Sequence, residues 1–460
     1  MDGEVRTNPY LTGNFAPVRS EDDFVLEVVG EIPAGLRGVL YRNGPNPQFE
    51  PRDPNHHWFV GDGMIHAFAV EDGQVAYRNR YVRTPKWALE HEHGRSLFSG
   101  FNPMLNDPIA QGHDGGVANT NIVHHAGCLL ALEEAHAPFE LAERTLEPKG
   151  YAESYGGRVT AHPKIDPRTG EMVWFAYGVG EPLGAGISYG VTNSAGEVVR
   201  RDDFQAPYSS MIHDFLVTDR HVLFPVLPLT GSLERAMKGL PAYAWEPDKR
   251  SYVGVMARDA DVSTIRWFET DACYVFHPMN AWDEDGKVVA EVFRYDAAPL
   301  FPLADGSPGV RSAARLVRWT FDLAGNSDRI VEEAIDDLDG EFPRFDERFA
   351  GSKHRHGWYG ADTTGAKSVK LNAIAHLDRQ TGRRQVFDFG PDLVSEPVFT
   401  PRSATAAEGD GWLTAVVWRA AENRSDFLVF EALDVAKGPI ATAKLPRRVP
   451  FGFHGTWVSG

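Results

Sequence analysis

The hydrophobic positions of this chain come in short runs rich in Val, Phe, Tyr and Trp, and each run stops at a polar, glycine-bearing break. The breaks resemble one another: Glu71-Asp72-Gly73, Asp166-Pro167-Arg168-Thr169-Gly170, Ser194-Ala195-Gly196, Asp285-Gly286, Asp322-Leu323-Ala324-Gly325 and Asp378-Arg379-Gln380-Thr381-Gly382. Asx and glycine supply the positive-φ positions that tight hairpins require, so each break predicts a turn between antiparallel strands. Helical spacing is scarce. Its best case is Ser232-Leu233-Glu234-Arg235-Ala236-Met237-Lys238-Gly239, with Ser232 as N-cap and Gly239 as stop. The expected fold class is all-β. At 460 residues a chain of hairpins favours a propeller, because radial repetition accommodates many strands while leaving only short edges. The 45 glycines and 31 prolines are spread without a linker-like concentration, which predicts one domain over residues 1–460. No clean repeat gives the blade number.

Bulk properties narrow the class. Hydrophobic residues form 42% and charged residues 24% of the chain, proportions that supply a globular core. The net charge of −18 opposes counterion-release binding, so no nucleic-acid partner is expected, and it offers no general attraction to anionic lipid. Cys128 and Cys273 cannot build a disulfide framework and fit a reducing compartment. The opening Met1-Asp2-Gly3-Glu4-Val5-Arg6 lacks the regions of a signal peptide, and no apolar run reaches bilayer length. A cytoplasmic location is expected, with peripheral membrane contact open and no obligate protein partner implied.

Of the 17 histidines, the pairs His91 and His93, His354 and His356, His56 and His57, and His124 and His125 fit no zinc spacing. Four others share a setting near the end of a short apolar or aromatic run. They are His162 in Arg158-Val159-Thr160-Ala161-His162-Pro163, His213 in Met211-Ile212-His213-Asp214-Phe215, His277 in Tyr274-Val275-Phe276-His277-Pro278, and His454 in Phe451-Gly452-Phe453-His454-Gly455. Glycines on both sides of His454 leave the backbone free of Cβ bulk, so its imidazole could approach a metal. Far apart in sequence, the four could each come from a different blade and meet on one axis. Equally, the prolines after His162 and His277 could end strands, and the imidazoles could be core side chains.

The chain resembles the carotenoid cleavage oxygenase family, which includes apocarotenoid oxygenases, lignostilbene dioxygenases and the retinal pigment epithelium retinoid isomerase. The matching segments stand in family order: Tyr41-Arg42-Asn43-Gly44-Pro45-Asn46-Pro47, His56-His57-Trp58-Phe59-Val60-Gly61-Asp62-Gly63-Met64, Leu130-Ala131-Leu132-Glu133-Glu134, Ala161-His162-Pro163-Lys164, Met211-Ile212-His213-Asp214-Phe215, Phe276-His277-Pro278-Met279-Asn280-Ala281-Trp282, Glu341-Phe342-Pro343-Arg344, Ser395-Glu396-Pro397-Val398-Phe399 and Phe453-His454-Gly455. The resemblance implies a seven-bladed β-propeller, with a few short helices and loops forming a cap over an axial iron(II) held by His162, His213, His277 and His454. It implies that Glu134, Glu341 and Glu396 accept hydrogen bonds from three of these imidazoles, which would fix their tautomers. Thr120 resembles the family threonine whose methyl crowds an open iron position.

Family chemistry is oxidative scission of a conjugated carbon–carbon double bond by dioxygen, giving two carbonyl products. Trp58, Phe59, Phe101 and Phe276 are the expected wall of an apolar substrate tunnel. Stilbene-cleaving relatives carry a lysine immediately before the first glutamate and a nearby tyrosine, which engage a phenolic hydroxyl. Here Glu133 and Ser99-Gly100-Phe101-Asn102-Pro103 occupy those segments, which favours an apolar polyene, an apocarotenoid, over a stilbene or alkenyl phenol. Residues 339–344 and 408–411 also resemble the phenylpropanoid-cleaving branch, so that alternative stands. Residues 223–229 and 97–104 are candidate apolar patches at a tunnel mouth. A glycan-binding or glycosidase propeller is the reading from another class, but no acidic pair can be set at glycosidase separation from sequence.

Overall fold

The computed structural model describes residues 8–101, 103–367 and 370–460. Met1-Asp2-Gly3-Glu4-Val5-Arg6 and Asn102 lie outside the described residues. Among those described, the strands form seven antiparallel sheets arranged as the blades of a propeller, plus a small hairpin of Leu229–Gly231 with Tyr243–Trp245. Blade I runs from Asn121–His125 outward to Pro148–Tyr151, blade II from Lys164–Ile165 to Val198–Gln205, and blade III from Leu216–Val217 to Arg266–Thr270. Blade IV runs from Tyr274–Glu284 to Val331–Ala334 and blade V from Asp339–Phe345 to Arg383–Asp388.

The last two blades mix distant parts of the chain. Blade VI starts with Leu393–Val394 and Val398–Pro401 and ends on Glu27–Gly30. Blade VII takes Gly455–Ser459 as its innermost strand, against Gly38–Pro45, and finishes on Asp23–Val25. The ring is therefore closed twice by backbone ladders.

The six predicted turns join neighbouring strands of the same sheets. At Asp72-Gly73 and Asp285-Gly286 both residues have positive φ, the geometry whose twist matches a two-residue hairpin. Outer strands alternate, as in Val198–Gln205, whereas Gly38–Pro45 is buried throughout because a neighbour covers each face. Trp174, Trp319 and Trp358 are fully buried.

Residues 232–239 form the expected helix, Leu233–Met237, with the Ser232 hydroxyl capping Arg235 N. A longer helix, Pro85–His93, was not expected; Thr84 caps it and Gly94 ends it in the left-handed region. The segment 223–229 is a correction: Leu223, Phe224, Val226, Leu227 and Leu229 are buried in the core, so this run is strand interior and forms no membrane patch. In the second candidate patch Leu97 is buried, while Phe101, Met104 and Leu105 are exposed. No helix among the described residues is long and apolar enough to cross a membrane.

Candidate metal centre and substrate cavity

The seven blades each contribute one key side chain to the axis. His162, His213 and His454 lie just before the innermost strands of blades II, III and VII and His277 within that of blade IV, while Glu134, Glu341 and Glu396 come from blades I, V and VI. Several sit where a ladder breaks. His277 lies at the irregularity between Val275 and Pro278, and Glu341 at the one between Glu341 and Arg344. Glu396 occupies the gap between the two short inner strands of blade VI. Pro278, Pro343 and Pro397 stand at these breaks, and proline, lacking an N–H, both interrupts pairing and re-aims the neighbouring side chain. Phe342 at the blade V break has φ +54°, a left-handed conformation seldom adopted by a bulky residue.

All four imidazoles are buried, and one ring nitrogen from each lies within 4.8 Å of the other three. The Nε2 atoms face one another, His162 to His213 at 3.1 Å and His213 to His277 at 3.1 Å. The opposite nitrogens face carboxylates. His213 Nδ1 donates to Glu134 Oε1 at 2.5 Å, His277 Nδ1 to Glu341 Oε2 at 2.5 Å, and His454 Nδ1 to Glu396 Oε1 at 2.9 Å. A proton held on Nδ1 leaves the Nε2 lone pair pointing inward, so neighbouring lone pairs at 3.1 Å repel unless a cation sits among them. That donor set fits a transition metal that favours imidazole.

Electrostatics agree with this use. Burial, reinforced by the other imidazoles, holds His162 well below the usual histidine range. Burial brings His454 down to about 4 against the opposing pull of Glu396. Burial also lowers His277, but Glu341 outweighs it and the net shift is upward. Glu396 resists its own burial through Arg344, His454 and the Gly455 N–H, which hold it down at about 2.

His162 differs from the other three. Its Nδ1 is 3.8 Å from Asp214 Oδ2, too far for a direct hydrogen bond, and Asp214 Oδ1 is held by Lys164 Nζ at 2.7 Å. Sequence reasoning also missed the supports behind the glutamates. The Tyr177 hydroxyl donates to Glu134 Oε2, and the Tyr295 hydroxyl to Glu341 Oε1 at 3.1 Å. Burial together with the adjacent glutamate keeps both phenols protonated. Arg344 Nη1 lies 3.4 Å from Glu396 Oε2. Tyrosines inside apolar runs look like ordinary strand residues, so only the arginine, inside Glu341-Phe342-Pro343-Arg344, carried any signal.

Above the histidines lies a cavity of about 300 Å³, lined by His213, His277, His454, Thr120 and all four expected aromatics, Trp58, Phe59, Phe101 and Phe276. Its size falls at the lower end for enclosed small-molecule sites. The Thr120 hydroxyl donates to Asn119 Oδ1 at 2.9 Å. Trp58 packs on Phe453 with ring centroids 4.4 Å apart, and Phe276 meets the His213 ring edge-on at 5.3 Å. Glu133 also lines the cavity; its Oε1 accepts from Val117 N at 2.6 Å and Ala118 N at 3.1 Å and lies 3.0 Å from His136 Nδ1.

Comparison with known proteins agrees with this architecture. The family model described as retinal pigment epithelial membrane protein matches residues 15–459. The isoeugenol monooxygenase of Pseudomonas nitroreducens is 38% identical, covering 98% of each chain, and the carotenoid cleavage oxygenase of Mycobacterium tuberculosis is 35% identical, covering 98% of this chain and 97% of its own. The crystal structure of Pseudomonas brassicacearum lignostilbene dioxygenase superposes with a TM-score of 0.94 at 35% identity, over 98% of this chain and 99% of that one. Matched along nearly its whole length by model, sequence and fold, the chain belongs to the retinal pigment epithelial membrane protein family, the carotenoid cleavage oxygenases, and is an enzyme of the oxygenase type.

Proposed function

We propose that the chain, acting as one propeller domain, is a non-heme iron(II) dioxygenase that cleaves a conjugated double bond of an apocarotenoid. One observation carries the reading: four imidazoles, three of them braced by glutamates, meet directly beneath an aromatic cavity. When bound by His162, His213, His277 and His454, iron(II) supplies the binding and activation of dioxygen. The chain's own groups do the rest. Trp58, Phe59, Phe101 and Phe276 align an extended alkene beside the Nε2 cluster and exclude bulk water. Glu134, Glu341 and Glu396 keep the Nδ1 protons in place, so the ligating nitrogens stay unprotonated and correctly turned. Thr120 also lines the cavity.

A second reading changes only the substrate, to a stilbene or alkenyl phenol. Its support is the likeness to an isoeugenol monooxygenase and a lignostilbene dioxygenase, together with the tyrosines in the cavity wall. Metal analysis of anaerobically purified protein should find about one iron per chain. Parallel oxygen-dependent assays on an apocarotenal and a hydroxystilbene, with products identified by mass, then separate the substrates, and turnover of the phenol alone overturns the apocarotenoid assignment.

The apolar side chains of Phe101, Met104 and Leu105 are exposed on the segment that also lines the cavity, which suits transient contact of a cytoplasmic enzyme with a lipid surface. Sedimentation with neutral phosphatidylcholine vesicles, weakened by Met104→Glu, tests that contact.

A further inference from the structure

The histidines are reached from two sides of unlike chemistry. On one side is the aromatic cavity. On the other, a separate space of about 620 Å³ follows the propeller axis past His162, His277 and His454 to exposed residues such as Glu347 and Ser459. The innermost strands show that the two spaces lie end to end. In Asp339–Phe345 the first residues line the cavity and Pro343, Arg344 and Phe345 the axial space. In Tyr274–Glu284, Phe276 lines the cavity and Met279 the axial space. Only the axial space touches His162, the imidazole without a glutamate.

We infer that this axial channel is the route by which the hydrated metal ion enters and leaves the four-histidine centre, while the alkene uses the aromatic side. The inference rests on the histidines being metal ligands. The aromatic cavity does hold oxygen groups, but Glu134 and Glu341 are committed to His213 and His277 and Glu133 to the Val117 and Ala118 N–H groups. A divalent cation stripped of water against Trp58, Phe59 and Phe276 therefore loses hydration that those rings do not replace. The axial channel offers carboxylates in succession, Glu347 at the exposed rim and Asp214 beside His162. Each is held by its own cation, Glu347 by Arg344 and Asp214 by Lys164 at 2.7 Å. A carboxylate already paired can exchange with a passing ion without trapping it.

The test starts from full-length, iron-loaded protein and follows transfer of Fe(II) to an excess of a chromogenic ferrous chelator. Thr456→Trp, at a half-buried channel position, should slow release at least about tenfold with iron content at equilibrium unchanged, since a blocked path slows entry and exit alike. Ser459→Trp, at the exposed rim, should slow it less and carries the test if circular dichroism shows Thr456→Trp misfolded. Phe101→Trp, at the aromatic mouth, should leave release unchanged. Unaltered release in folded channel variants, or slowing by Phe101→Trp alone, overturns the route. Wild-type protein that folds yet never holds iron overturns the metal reading instead.

Discussion

Glu396→Gln separates the work of a buried carboxylate from that of its shape. In the native chain Glu396 is 2% exposed and accepts from His454 Nδ1 at 2.9 Å and from Gly455 N at 2.8 Å, with Arg344 alongside. A glutamine oxygen can still accept the Nδ1 proton. Its amide nitrogen then confronts the Gly455 N–H, donor against donor, and Arg344 loses a buried counter-charge. The depression of Glu396 from the ordinary glutamate range to about 2 corresponds to roughly 3 kcal/mol of folding free energy. Because the folded pKa is depressed, this contribution is complete above about pH 5 and is lost as the pH falls towards 2. Thermal unfolding should thus show the variant roughly 3 kcal/mol less stable at pH 7, with the gap closing in acid. Metal affinity, measured by competition with a chelator, should fall about 10- to 100-fold, or about 1.4–2.7 kcal/mol. A variant that matches wild type in both affinity and acid unfolding refutes the idea that charge on Glu396 sustains His454.

Three further outcomes follow from other contacts. Asp214→Asn should weaken iron binding by less than about tenfold, since 3.8 Å separates Asp214 from His162 Nδ1 and only a bridging water could connect them; chelator competition checks it. Lys86→Met strands two buried carboxylates, Asp62 at 2.6 Å and Glu90 at 2.8 Å, and should cost about 3–5 kcal/mol in denaturant titration. It should also raise KM, because Glu90 holds Leu97 N and Phe98 N on the segment leading to Phe101. Glu133→Lys combined with Phe101→Tyr should shift the kcat/KM ratio about tenfold from the apocarotenal towards the hydroxystilbene, near 1.4 kcal/mol of transition-state preference.

Much of the fold is legible because hairpins are local events: Asp72-Gly73 and Asp285-Gly286 announce their own backbone geometry. The helix Pro85–His93 escapes for a physical reason. Its cap and stop are visible in Thr84 and Gly94, yet its buried face is made of Lys86 and Glu90, an ion pair in place of an apolar stripe. The run 223–229 fails in the opposite sense, since an interior strand and a lipid-facing patch have the same composition. At the site, the strand-end setting of the four histidines is readable, but their convergence depends on how seven blades are turned about an axis, which no local pattern encodes. The glutamates stand out only through resemblance, and Tyr177 and Tyr295 do not stand out at all.

The twofold closure of the ring gives a last prediction. Gly455–Ser459 pairs with Gly38–Pro45 in five registered positions, from Arg42 opposite Gly455 to Gly38 opposite Ser459. The same strand fixes His454 from both neighbours, since His454 N donates to Thr120 O at 3.2 Å and Asn43 N to His454 O at 2.9 Å. Deleting residues 455–460 removes a short ladder worth on the order of 3 kcal/mol, together with the Gly455 bonds to Glu396 and Arg344. The outer strands of blade VII remain paired with one another, so the truncated chain should fold with a lowered melting temperature. Iron release, however, should accelerate far beyond what the stability loss alone implies, because the deletion frees His454 and removes one wall of the axial channel at once. Release from the truncated chain at the wild-type rate, in protein whose circular dichroism is native, would show that neither the anchoring of His454 nor the channel wall governs how the metal is kept.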